Sequence, residues 1–125
     1  MKKKILIIDD EETYVDILKI HLEQSGKFEI ESVFDAQSGF EKINGSNYDL
    51  ILLDILMPKI EGHEALAKIK NMCKTPVIIM SGYLAPQQKQ FIMKAGADAC
   101  FMKTDNLDKI FHLIQQCLFA NEKGQ

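Results

Sequence analysis

The sequence is short of cysteine, has no long apolar run, and carries no strong excess of either charge. Its three cysteines, Cys73, Cys100 and Cys117, are odd in number, widely spaced and form no Cys-x-x-Cys pair. That argues against a disulfide framework and against a zinc site. No apolar run approaches the roughly 20 residues that a membrane helix needs. The basic start, Lys2-Lys3-Lys4, leads into only four apolar residues and then two aspartates, which is not the pattern of a secretory signal. The expectation is a cytoplasmic chain with no membrane partner. A net charge of −3 leaves no electrostatic footprint for nucleic acid, so direct nucleic-acid binding is not expected. There is no repeat, linker or low-complexity segment. The 125 residues can build one domain with a real core and are too few for two.

What is present is organised around Tyr48-Asp49-Leu50-Ile51-Leu52-Leu53-Asp54-Ile55-Leu56-Met57-Pro58. Leu50 to Leu53 is a short, unbroken apolar run and reads as a strand buried on both faces. Asp54 stands where that strand leaves the core. A single aspartate there is ordinarily a loop cap. A second apolar run, Ile5 to Ile8, ends the same way in Asp9-Asp10, and packing alone does not ask for that pattern twice.

Taken in order, Lys4–Ile8 reads as a strand and Glu11–Gln24 as a helix with Val15, Leu18 and Leu22 on one face. Ser25-Gly26 ends that helix. Phe28–Phe34 reads as a half-buried strand near an edge, with Phe28, Ile30 and Val33 inward. Ala36–Ile43 is a short helix weakened by Gly39 and stopped by Asn44-Gly45-Ser46. After the central strand, Ile60-Glu61-Gly62 is expected as loop, Glu64–Asn71 as a helix and Val77–Met80 as a strand. Pro86 opens a helix to Lys94, closed by Ala95-Gly96. Ala99–Met102 is the fifth strand, and Asn106 caps a last helix. There Leu107, Ile110, Phe111, Ile114, Cys117 and Leu118 repeat at helical spacing, leaving Leu113 and Phe119 off the stripe as a candidate contact patch. The expected domain spans residues 1–120, with a polar tail, 121–125, that frays. His21, His63 and His112 are scattered and read as surface or structural.

Five alternations of strand and helix call for a mostly parallel sheet covered by helices on both faces, an α/β fold. Parallel strands bring their carboxyl ends to one edge, and function gathers there. The polar residues at those ends are Asp9 and Asp10, Asp54, Ser81 and Lys103. Three clustered carboxylates repel one another unless a cation sits among them. An all-oxygen, acidic set without histidine or cysteine suits Mg2+, which also binds phosphate. Lys103 and Ser81 would complete a phosphoryl site, the lysine by charge and the hydroxyl by a hydrogen bond. Asp54, on the central strand, is the natural nucleophile for an acyl phosphate.

With those residues in place, the chain resembles the receiver domains of two-component response regulators. The resemblance covers nearly all of it. It rests on Ile7-Ile8-Asp9-Asp10-Glu11, Leu53-Asp54-Ile55-Leu56-Met57-Pro58, Gly62, Ser81-Gly82, Ala95-Gly96-Ala97-Asp98 and Lys103. It implies a flavodoxin-like doubly wound sheet in the order 2-1-3-4-5. It implies a phosphorylation switch in which Asp54 accepts a phosphoryl group from a histidine kinase or a histidine phosphotransfer protein. Asp10, Asp54 and the backbone carbonyl of Leu56 would bind Mg2+ directly, Asp9 largely through water, and Ser81 and Lys103 would contact phosphoryl oxygens. Such a domain catalyses only its own phosphorylation and dephosphorylation. It signals by docking a downstream protein or a second copy on the face of the fourth helix, fifth strand and fifth helix.

Two positions depart from the family pattern. Thr104 follows Lys103 where proline is usual; a non-proline cis bond costs about 2.5–4 kcal/mol, so a trans bond is expected. Cys100 stands where an aromatic usually turns inward on activation, and Phe101 should face the other side of the strand. The expected switch residues are therefore Ser81 and Tyr83, with Cys100 unable to act as a turning ring. Two other readings compete. One is a Mg-dependent phosphatase of haloacid dehalogenase type with Asp9 as nucleophile, which leaves Asp54 idle. The other is a pseudo-receiver that only binds partners.

Overall fold

Apolar runs and amphipathic stripes sort this chain into a central sheet and two helical layers. A computed structural model describes residues 2–57 and 60–123. In chain order the elements are β1 (Lys3–Ile8), α1 (Glu12–Glu23), β2 (Phe28–Val33), α2 (Ala36–Gly45), β3 (Leu50–Asp54), α3 (Gly62–Met72), β4 (Val77–Ser81), α4 (Pro86–Lys94), β5 (Ala99–Met102) and α5 (Leu107–Lys123). The five strands are all parallel and lie in the order β2-β1-β3-β4-β5.

The strands' two faces build two cores. Leu6, Ile8, Ile51, Leu53 and Ile79 point one way, toward Phe40 and Ile43 of α2, Leu66 and Ile69 of α3 and Ile92 of α4. Ile5, Ile7, Leu50, Leu52 and Ile78 point the other way, toward Val15, Leu18 and Leu22 of α1 and Ile110, Ile114 and Leu118 of α5. Every residue of β3 and β4 is buried, which is why both read as continuous apolar runs rather than alternating ones. Each fully buried Leu or Ile contributes about 1.5–3 kcal/mol. Edge strand β2 alternates more, with Phe28, Ile30 and Val33 inward.

The helix ends follow from local chemistry. Asp35 caps α2 by accepting from the Ser38 amide at 2.7 Å. Asn106 caps α5 through its side-chain oxygen, which accepts from the Asp108 amide at 2.8 Å. Gly39 is a site of close approach: a Cβ there would lie 2.5 Å from Cδ1 of Ile8 on β1. The glycine that weakens α2 as a helix lets it sit down on the sheet.

Several boundaries differ from the sequence expectation. Ile60-Glu61, expected as loop, pairs antiparallel with Leu56-Met57 in a two-residue ribbon, and Gly62 opens α3. Helix α2 runs through Gly45 instead of stopping at Ile43. Helix α5 continues through Lys123, and Gly124 and Gln125 lie outside the described residues. Leu113 and Phe119 pack against the α1–α5 core, each partly buried. Phe101 faces that core while Cys100 packs on the opposite one, as strand alternation requires. Among the described residues no peptide bond is cis, the Lys103–Thr104 bond included.

Candidate functional site

Four strands deliver the site. Asp9 directly follows β1, Asp54 ends β3 and Ser81 ends β4, while Lys103 follows β5 by one residue. Because the strands are parallel and in register, these ends meet at one edge of the sheet. The turn after β5 is tied to β4 by the Lys103 amide, which donates to the Ser81 carbonyl at 2.7 Å.

The Lys103 ammonium lies 2.8 Å from Asp9 Oδ2 and 3.2 Å from Asp54 Oδ2, and it also pairs with Glu11. Its side chain is only 7% exposed. Each aspartate is held from its other oxygen. Asp9 Oδ1 accepts from the Glu11 amide at 2.9 Å, and Asp54 Oδ1 accepts from the Leu56 amide at 3.0 Å. These short backbone bonds fix both carboxylates in place before any ligand arrives.

Burial sets the proton affinities. Asp54 is pushed up to about 7, first because it is buried and then because of the Asp9 charge; the Leu56 amide and Lys103 oppose the rise. Burial alone would lower Lys103, but its bonds to Asp9 and Glu11 and the Asp54 charge outweigh that and hold the ammonium above its ordinary value. When all are ionised, three carboxylates face one ammonium and two negative charges stay uncompensated. Carboxylate oxygens of Asp9, Glu11 and Asp54 lie within 4.8 Å of one another, close enough to share one cation. An all-oxygen set with that deficit fits a hard divalent ion such as Mg2+.

Of the residues anticipated from sequence, Asp9, Asp54 and Lys103 are in contact and Ser81 is bonded to the same turn. Asp10 is exposed and does not belong to the three-carboxylate group. Leu56, two residues beyond Asp54, starts the short ribbon and is 70% exposed. Ser81 is buried and its hydroxyl is already engaged by Tyr83. Glu11 was missed: it reads as an acid at a helix start, and nothing in its local sequence signals a pairing with Lys103. Cys100 is half-buried against the α2–α3–α4 core, and burial pushes its thiol up. The reading in which Asp9 is a phosphatase nucleophile is not supported, since it leaves Asp54, held by Lys103 in the same cluster, without a role.

A doubly wound parallel sheet with acids, a hydroxyl and a lysine at its carboxyl edge defines an α/β domain whose site lies where such sheets bind ligands. The family model for the response regulator receiver domain matches residues 5–115. The response regulator ArlR of Staphylococcus saprophyticus is 30% identical over 115 residues, which is 92% of this chain and 52% of the relative. The chain thus spans about half the length of the curated relatives it matches. Among solved structures, a CheY-like response regulator receiver domain protein from Methanospirillum hungatei is 34% identical with a TM-score of 0.91 over 100% of both chains. A two-component response regulator from Clostridium difficile is 28% identical with a TM-score of 0.88, over 94% of this chain and 96% of that one. The chain belongs to the response regulator receiver domain family. Receiver domains are signalling switches and generally bind Mg2+. Among the described residues no helix is long and apolar enough to cross a membrane.

Proposed function

We propose that this domain is switched by transfer of a phosphoryl group to Asp54 from a phosphohistidine on a histidine kinase or phosphotransfer protein. The observation that carries the reading is the Lys103 ammonium held between Asp9 and Asp54 at the ends of separate strands. A carboxylate oxygen of Asp54 attacks phosphorus and forms an O–P bond as the donor's N–P bond breaks, and the departing imidazole takes a proton from solvent. Lys103 stabilises charge on the phosphoryl oxygens, and Ser81 donates to one of them. Asp9, Asp54 and the Leu56 carbonyl, with Glu11 beside them, would hold Mg2+, which would supply further charge neutralisation; Asp10, exposed at the same strand end, would have to turn toward the ion to join them. The domain catalyses only its own phosphorylation and dephosphorylation, and works in the cytoplasm.

Read-out passes through Ser81 and Tyr83. The face of α4, β5 and α5 carries a cleft of about 680 Å³ whose walls include Leu84, Cys100, Ile110 and Leu113. A downstream protein or a second copy docks there.

Incubation with phosphoramidate and Mg2+ should add one acid-labile phosphoryl group, seen by intact mass. Asp54→Asn, or omission of divalent cation, should abolish it. Labelling that survives either change would sink the assignment.

A further inference from the structure

We propose that Tyr14 is a positioning residue for Lys103, its aromatic face seating the ammonium where it meets both Asp54 and an incoming phosphoryl oxygen. The inference rests on the phosphoryl-transfer reading above. The ammonium lies 5.0 Å from the centroid of the Tyr14 ring, within the range in which a cation is drawn to an aromatic face. Helix α1 begins at Glu12, just after the acidic turn, so its first turn carries the ring up to the lysine. The ring is anchored from behind by the α1–α5 core, against which Tyr14 packs partly buried.

Among the described residues, the ammonium also meets the carboxylates of Asp9, Glu11 and Asp54. These contacts do not stay constant through the cycle: Asp54 forms the O–P bond, and a divalent ion, when bound, would compete for oxygens of Asp9, Glu11 and Asp54. The ring exchanges no proton and binds no hard cation, so its attraction to Lys103 persists through the cycle. Burial pushes the Tyr14 hydroxyl up to about 12, and the residue stays a neutral phenol at working pH. That hydroxyl is itself buried without a hydrogen-bond partner among the described residues. The role therefore belongs to the ring and not to the hydroxyl, which gives the proposal a sharp control.

The test compares initial rates of labelling by phosphoramidate at saturating Mg2+, with Mg2+ affinity measured separately by calorimetry. Tyr14→Leu and Tyr14→Met should each slow labelling about tenfold and change Mg2+ affinity less than twofold. Tyr14→Phe, which keeps the ring, should stay within about twofold of the parent. In a Lys103→Gln background, Tyr14→Leu should change the residual rate by less than twofold, because the ring then has no ammonium to hold. Should Tyr14→Leu prove unfolded by circular dichroism, Tyr14→Met and Tyr14→Phe decide. Rates in the Tyr14→Leu or Tyr14→Met chain equal to the parent, an equal fall in the Lys103→Gln background, or a Tyr14→Phe rate as low as Tyr14→Leu would overturn the proposal. A parent chain that takes no label overturns the phosphoryl-transfer reading itself, whereas a labelled parent indifferent to Tyr14 overturns only this inference.

Discussion

The Ser81 hydroxyl donates to the carbonyl oxygen of Tyr83 at 3.0 Å, and the Tyr83 amide returns a longer bond of 3.4 Å to the same hydroxyl. The hydroxyl hydrogen is thus committed to the loop that follows β4. It cannot serve a phosphoryl oxygen without letting the Tyr83 carbonyl go. Tyr83 carries a side chain that is 68% exposed, so a change in this loop is a change in the surface.

The first prediction follows from that commitment. Binding of beryllofluoride with Mg2+, a mimic of the phosphoryl group, should shift the amide resonances of Gly82, Tyr83 and Leu84. In Ser81→Ala those shifts should fall by more than half. Tyr83→Ala should weaken phosphorylation-dependent docking or dimerisation, while Cys100→Ala should leave it within about twofold. The reverse pattern, with Cys100 decisive and Tyr83 indifferent, would contradict this route.

The second prediction concerns Asp54 and pH in the absence of divalent cation. Its carboxyl is pushed up to about 7 from an ordinary 3.8, so across that interval the folded chain binds more protons than the unfolded one. Stability contributed by this group is therefore greatest below pH 4 and falls as pH rises through about 7. Asp54→Asn removes the buried charge. With EDTA, it should raise stability on the order of 2 kcal/mol at pH 8 and much less at pH 5, read from urea melts at the two values. An equal gain at both would mean the shift is not the cause.

The third prediction removes the cation from the same cluster. Lys103 is held above its ordinary pKa, so its contribution is fully present at neutral pH and is lost only as pH rises through that elevated value. Any change between pH 5 and 8 in the Lys103→Ala chain thus belongs to the carboxylates it leaves behind. Losing one partner of a buried ion pair costs about 3–5 kcal/mol when the remaining charge cannot adapt. Asp54 can adapt by holding its proton. Lys103→Ala should lose about 2 kcal/mol at pH 8 without divalent cation, less at pH 5, and should regain stability at pH 8 when Mg2+ is added. A loss that Mg2+ does not repair would show that Lys103 matters for packing rather than charge.

How far the sequence could be read depends on where each signal lives. β3 and β4 were legible because burial on both faces leaves an unbroken apolar run. Helix α5 was legible because Ile110, Ile114 and Leu118 recur on one stripe. The strand-end residues followed from topology alone, since parallel strands must bring Asp9, Asp54, Ser81 and Lys103 to one edge. The ribbon of Leu56-Met57 with Ile60-Glu61 was not legible, because two residues are too few to display a period of two. Glu11 and Tyr14 were missed for a different reason. Each looks ordinary at the start of α1, Glu11 just before it and Tyr14 in its first turn, and what distinguishes them is a lysine that comes near only through the tertiary fold.

The last prediction tests how tightly the turn after Asp54 is held. A Cβ on Gly62 would run into the Ile55 side chain and lie 2.6 Å from both the Ile55 Cα and its carbonyl oxygen. Two of those obstacles are backbone, which cannot rotate aside, so α3 and the Asp54-Ile55 turn would have to part. Gly39→Ala is the natural comparison. There the new Cβ would meet the end of the Ile8 side chain, at 2.5 Å from Cδ1, which can yield by changing rotamer. Overpacking of this kind costs about 1–3 kcal/mol. Gly62→Ala should fall at or above the top of that range, lowering the melting temperature by roughly 10 °C, at about 4 °C per kcal/mol for a domain of this size. It should also slow labelling of Asp54, because Ile55 is the next residue in the chain. Gly39→Ala should be milder in stability and leave labelling near the parent rate, since α2 contributes nothing to the acidic cluster. Thermal melts and phosphoramidate rates on the two variants settle it. A Gly62→Ala chain no less stable than Gly39→Ala and equally quick to take label would show that the turn after Asp54 accommodates a side chain.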